Sequence, residues 1–158
     1  MVILVMGTTG AGKTTIGRLL AAQLGWAFLD ADDFHPAANI EKMKNGIPLT
    51  DADRWPWLDA IHAELARRSA AQSDVVLACS ALKQSYRDRL SAGIEMKVVY
   101  LRGTYEEMRH HIESRQGHFA GEAILAGQFA DLEEPKDALV VGVERSPGEI
   151  VQEIVRGL

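Results

Sequence analysis

The chain has 158 residues, enough for one domain around one core, and its 47% hydrophobic and 25% charged content is that of an ordinary soluble globular protein. A formal net charge of −5, from 17 basic and 22 acidic residues, argues against a polyanion-binding surface, so no nucleic-acid partner is expected. The single cysteine, Cys79, excludes an internal disulfide, and no segment approaches the roughly 20 apolar residues that span a bilayer, so the expectation is a cytoplasmic protein without a membrane partner.

Val2 to Met6 is a short apolar run stopped by Gly7, the pattern of a buried parallel strand. Lys13 to Leu24 carries Ile16, Leu19, Leu20 and Leu24 at helical spacing, and Gly25 ends it. A second strand, Trp26 to Leu29, runs into Asp30, Asp32 and Asp33. Pro36 opens a helix over Ala37 to Asn45. Thr50, with Asp53 at the capping-box position, starts another that runs to about Ala71. A third strand follows over Val75 to Ser80, a helix over Leu82 to Leu90, and a fourth strand over Lys97 to Leu101. Helices at about Tyr105 to Arg115 and Glu122 to Leu132 flank a break at Gly117 to Gly121. The last strand spans Ala138 to Val143, and a final helix begins at Pro147. This alternation predicts an α/β fold with five parallel strands covered on both faces, whose ligands bind beyond the carboxyl ends of the strands.

Gly7-Thr8-Thr9-Gly10-Ala11-Gly12-Lys13-Thr14 sits at such an end and matches G-x-x-x-x-G-K-[ST]. The glycines permit turns that a Cβ would forbid, so the loop amides point at phosphate oxygens and the following helix adds its positive end. Lys13 reaches the β/γ oxygens and Thr14 offers its hydroxyl to Mg²⁺. The nucleotide-binding stretch is thus Gly7, Thr8, Thr9, Gly10, Ala11, Gly12, Lys13 and Thr14, with Thr15 beside it. The GTPase motifs D-x-x-G and N-K-x-D are absent, and Cys79-Ser80 stands where many such proteins carry a Walker-B Asp. Metal duty therefore falls to Thr14 and the second-strand acids.

Phosphoryl transfer needs a carboxylate that orients the acceptor hydroxyl and takes its proton. Asp30 and Asp32 lie two apart, and on an extended segment they point the same way. Asp32 is assigned to the acceptor and Asp30 to the metal. Cations for an acidic substrate are sought in Lys42, Arg54, Lys83 and Arg87; on one helix the last two would share a face. His35 is a donor to a substrate hydroxyl or a cap for the next helix. Arg109, His110, His111, Arg115 and His118 have no metal-ligand spacing. They suit a basic lid over ATP, spanning about 105–132 of one kinase domain over 1–158.

Beyond these readings, the chain resembles the gluconokinase family of P-loop kinases. The resemblance is carried by the phosphate loop, Asp30-Ala31-Asp32-Asp33-Phe34-His35-Pro36 and Gly46-Ile47-Pro48-Leu49-Thr50-Asp51 with Asp53-Arg54 and Pro56-Trp57-Leu58. It continues in Cys79-Ser80-Ala81-Leu82-Lys83 with Tyr86-Arg87-Asp88, in Gly117-His118-Phe119, and in Gln128-Phe129 before Leu132-Glu133-Glu134-Pro135. It implies ATP:gluconate 6-phosphotransferase activity with Mg²⁺, a nucleoside-monophosphate-kinase-like three-layer fold with a lid, and often a dimer. By position it assigns Lys13, Asp32 and Arg115 to catalysis, with Arg115 near the nucleotide. It assigns Asp32, His35, Arg54 and Lys83 to the acceptor and Lys13 and Thr14 to ATP and Mg²⁺; the reading of the residues adds Lys42, Ser80 and Arg87 to the acceptor side and Asp30 to the metal. Gln116 stands where a lysine is frequent in relatives. The alternatives are a shikimate-kinase-like or nucleotide kinase with another acceptor, or a sensor that binds ATP and a sugar acid without turnover.

Overall fold

Val2, Leu4 and Met6 point to one side of a strand and Ile3 and Val5 to the other, and all five are buried. A strand can be apolar throughout only where both faces of its sheet are covered. A computed structural model, which describes residues 1–116 and 119–158 apart from the side chains of 115–122, has that architecture. Its elements are β1 (Val2–Met6), α1 (Lys13–Leu24), β2 (Ala27–Asp30), α2 (Ala37–Lys44), α3 (Asp51–Ala70) and β3 (Val75–Ala78). Then come α4 (Gln84–Ser91), β4 (Met96–Arg102), α5 (Tyr105–Gln116), α6 (Phe119–Asp131), β5 (Leu139–Gly142) and α7 (Pro147–Gly157). The strands pair in parallel in the order β2-β3-β1-β4-β5, so the five-stranded expectation holds.

The sheet separates two cores. Ile3, Val5, Val99 and Leu101 pack with Ile16 and Leu20 of α1, Met108 and Ile112 of α5, Leu125 of α6 and Ile154 of α7. Val2, Leu4, Leu77 and Tyr100 pack on the other face with Leu58, Ile61 and Leu65 of α3 and Leu90 of α4. Within the 105–132 stretch, Met108, Ile112 and Leu125 are core residues that pack on the α1 face of the sheet. Arg115, the 117–121 break and His118 lie outside the fully described residues.

Several boundaries shift for local reasons. β3 stops at Ala78 because the chain then turns through Ala81, a non-glycine at φ +45°. That turn delays α4 to Gln84, leaving Lys83 as its N-cap rather than a member of the helix. After β2, the acidic cluster is not extended. Ala31–Phe34 form a 3₁₀ turn, capped by the Asp30 carboxylate, which accepts the Asp32 backbone N–H at 3.0 Å. The Thr50 capping box forms as expected: Asp53 donates its N–H to Thr50 Oγ1 at 3.2 Å, and Thr50 returns its own to Asp53 Oδ2 at 2.9 Å.

Candidate active site

The β1–α1 loop is shaped by close approach. A Cβ on Gly7 would stand 2.9 Å from the Leu101 carbonyl oxygen. Gly10, at φ +86°, would place one 2.8 Å from the carbonyl oxygen of Met108. The loop delivers the chain to Gly12, the αL N-cap of α1, which supplies no side-chain cap. By contrast Thr50 caps α3 and Ser146 caps α7. The first amides of α1 are left for another acceptor, at the positive end of the helix dipole. Lys13 reaches back over the loop, its Nζ 3.0 Å from the Thr8 carbonyl oxygen.

These groups line a cleft of about 230 Å³. Thr9, Gly10, Gly12, Lys13, Thr14 and Thr15 form one wall; Asp30, Asp32, Ala78, Cys79, Ser80 and Gln128 form the rest. Thr14 donates its hydroxyl to Asp30 Oδ2 at 2.9 Å, so the two residues expected to serve a metal meet across 16 positions of sequence. Both offer hard oxygens and no nitrogen or sulfur, a set that suits Mg²⁺ arriving with phosphate oxygens. Among the described residues no three His, Cys, Asp or Glu form a closed metal site.

Asp32 reaches the cleft from the 3₁₀ turn, which Trp57 pins by donating Nε1–H to the Ala31 carbonyl at 2.7 Å. Partial desolvation and then the neighbouring Asp30 charge push its carboxyl above the ordinary aspartate range. The shift favours a group that must take up a proton during turnover. Cys79, buried with its thiol pushed up to about 12 by desolvation, has no nucleophilic part here.

His35 stacks on Trp57 at 4.3 Å between centroids. Its Nδ1 accepts from Asn39 Nδ2 at 3.3 Å, and Asn39 also donates to the Asp53 carbonyl at 3.0 Å. Desolvation lowers the ring's pKa and favours the neutral form, and with Nδ1 accepting from Asn39 that form carries its proton on Nε2.

The remaining cations separate into two groups. Arg54 and Lys83 converge on one carboxylate that the sequence did not single out, Asp51. Arg54 Nη1 is 3.3 Å from Asp51 Oδ1, Lys83 Nζ is 3.3 Å from Oδ2, and Tyr86 donates its hydroxyl to Oδ1. These bonds, the tyrosine's first, hold Asp51 below the usual carboxylate range. Asp51 also sits in the first turn of α3, where its charge suits the helix dipole.

Lys42 and Arg87 are committed elsewhere. Lys42 pairs with Asp53 at 2.7 Å. The bond to Lys42, then that to the Thr50 amide, holds Asp53 at about 2. Arg87 is a correction. It does not share a helix face with Lys83, and it is 4% exposed. Its Nη1 donates to the Ala81 and Leu82 carbonyls at 2.7 and 3.0 Å, its Nη2 to the Glu133 carbonyl at 2.7 Å. A buried guanidinium must find such partners, and these clasp the strained turn that presents Ser80 and Lys83.

Comparison with known proteins agrees with this geometry. The family model described as shikimate kinase matches residues 9–157. A probable gluconokinase of Mus musculus is 42% identical, over 99% of this chain and 97% of its own length. The gluconokinase of Gluconobacter oxydans is 41% identical, over 98% and 89%. The chain belongs to the shikimate kinase family and, by these relatives, to the gluconokinases. The crystal structure of a gluconokinase from Sinorhizobium meliloti superposes with a TM-score of 0.88 at 42% identity, covering 98% of this chain and 89% of that one. The P-loop kinase fold and the gluconokinase resemblance expected from the sequence both stand. Among the described residues, no helix is long and apolar enough to cross a membrane.

Proposed function

We propose that residues 1–158 act as one ATP-dependent kinase unit in the cytoplasm, phosphorylating D-gluconate at its 6-hydroxyl. The observation that carries this reading is the facing of Lys13 and the uncapped α1 amides against Asp32 across one cleft. The acceptor class rests on gluconokinase relatives at 41–42% identity over nearly the whole chain.

The α1 amides and Lys13 receive the ATP phosphates. A groove of about 270 Å³ beside the same loop, walled by Thr15, His111, Arg145 and Pro147, gives the nucleoside a place to lie. His111 is tied to the loop there, its Nδ1 2.9 Å from the Gly10 carbonyl oxygen. Arg115 is assigned to the nucleotide by resemblance alone. Thr14 and Asp30 would hold Mg²⁺, which when bound neutralises phosphate charge.

Asp32 orients the acceptor hydroxyl and takes its proton. His35 donates Nε2–H to a substrate hydroxyl, and Ser80 lines the same wall. Arg54 and Lys83 bind the sugar-acid carboxylate, which joins or displaces Asp51 as their counter-charge. Lys42 and Arg87 support this half by holding its helices and turn.

The test is ADP release with Mg-ATP against a panel of gluconate, other aldonates, shikimate, glycerate and nucleoside monophosphates. Turnover with gluconate alone is expected. Turnover with a different acceptor would discard gluconate, and none with any would discard the kinase reading.

A further inference from the structure

Gln128 belongs to none of the groups assigned above, yet it stands at the mouth of the phosphate loop. It projects from α6 into the cleft that Lys13, Asp32 and Ser80 also line. The Thr9 backbone N–H donates to its Oε1 at 2.6 Å, a contact across 119 positions of sequence. Only the carbonyl end of a carboxamide can accept that proton, so the orientation of the amide is decided by the loop. Its NH₂ is then the free end, and it makes no hydrogen bond among the described residues. Its carrier helix is packed against the core on either side of it. Leu125, one turn earlier, is fully buried, and the adjacent Phe129 packs edge-on against Tyr105 at 5.6 Å.

A held, neutral donor at this place suits the one feature of phosphoryl transfer that changes along the reaction, the charge on the equatorial oxygens of the moving group. We propose that Gln128 is a catalytic residue whose Nε2–H donates to the transferring γ-phosphoryl while Thr9 clamps its carbonyl. The proposal rests on the kinase reading above. In the step it serves, the acceptor oxygen bonds to γ-phosphorus as the β–γ bridging P–O bond breaks. The electron pair leaves on ADP, and the acceptor proton goes to Asp32.

Two variants separate this role from a brace on the loop. Gln128→Glu keeps an oxygen for the Thr9 N–H but loses the donor; Gln128→Ala loses both. Steady-state kinetics with Mg-ATP and gluconate would be paired with binding of ADP alone and of ADP with aluminium fluoride, both with Mg²⁺. Gln128→Ala should lower kcat by about 10²-fold and Gln128→Glu by more, with ADP affinity kept within about twofold. The preference for ADP with aluminium fluoride over ADP should disappear in both.

Near-normal kcat in Gln128→Glu with a poor Gln128→Ala would overturn the donor role and leave only the brace. A fall of ADP affinity in parallel with kcat would overturn it too. The fluoride readout contains no acceptor, so it stands even if gluconate proves the wrong substrate; loss of gluconate turnover in the wild-type chain would count against that reading alone.

Discussion

The phosphate loop and the neighbouring region proposed for the acceptor are built in opposite ways. The phosphate half is one unbroken stretch, Gly7 to Thr15, whose working groups are mostly backbone amides at a helix start without a side-chain cap. The region we propose for the acceptor draws instead on side chains from the turn after β2, from α2 and α3, and from the loop before α4. There the charges have partners already: Asp51 holds Arg54 and Lys83, and Asp53 holds Lys42. A backbone site is preformed and tolerates little; a side-chain site must exchange one counter-ion for another when substrate arrives. On the proposed assignment, acceptor binding is a replacement whose energy is a difference between two sets of bonds.

The sharpest test of that contrast is Lys13→Ala. It should lower turnover by about 10²–10³-fold or more with melting unchanged, and near-normal turnover would break the phosphate half of the comparison. Asp32→Asn should lower kcat by about 10²–10⁴-fold while ATP affinity is kept. Its pH profile adds a check. Because desolvation raises the Asp32 pKa, wild-type kcat/KM should decline on the acid side at a pH above that of an ordinary aspartate. The base is present above that value and lost as pH falls through it; in Asp32→Asn that limb should vanish.

Arg54→Ala should raise the gluconate KM by about tenfold or more and leave the ATP KM alone. A change in both would mean that the two halves are not separable. Arg87→Met should cost about 2–3 kcal/mol in denaturant unfolding through its lost carbonyl bonds. If it raised the gluconate KM with stability intact, Arg87 would belong to the acceptor site after all. Smallest is Thr50→Ala, which removes the cap of α3 and should cost about 1 kcal/mol by the same measurement.

Much of the fold was legible in the residues: the parallel strands from continuous apolar runs, the phosphate loop from its glycines, the start of α3 from Thr50 and Asp53. Each rests on interactions within a few positions. What failed was the direction of long side chains. Arg87 and Lys83, four apart, look like one helical face, but the turn at Ala81 delays the helix and sends one inward. Asp51 reads as an ordinary first-turn acid. Its cationic partners lie three and 32 positions away, and no spacing rule pairs the distant one with it. Asp30 and Asp32 do share the cleft, by way of a 3₁₀ turn rather than an extended strand.

The sequence alone determined the layered α/β scaffold and the phosphate cradle, because backbone geometry and periodic burial are local. Tertiary structure decided that Lys83 meets Asp51 and that Gln128 meets Thr9. Those two pairings join residues 32 and 119 positions apart, and only the crossing of the chain over one sheet brings them within hydrogen-bond reach.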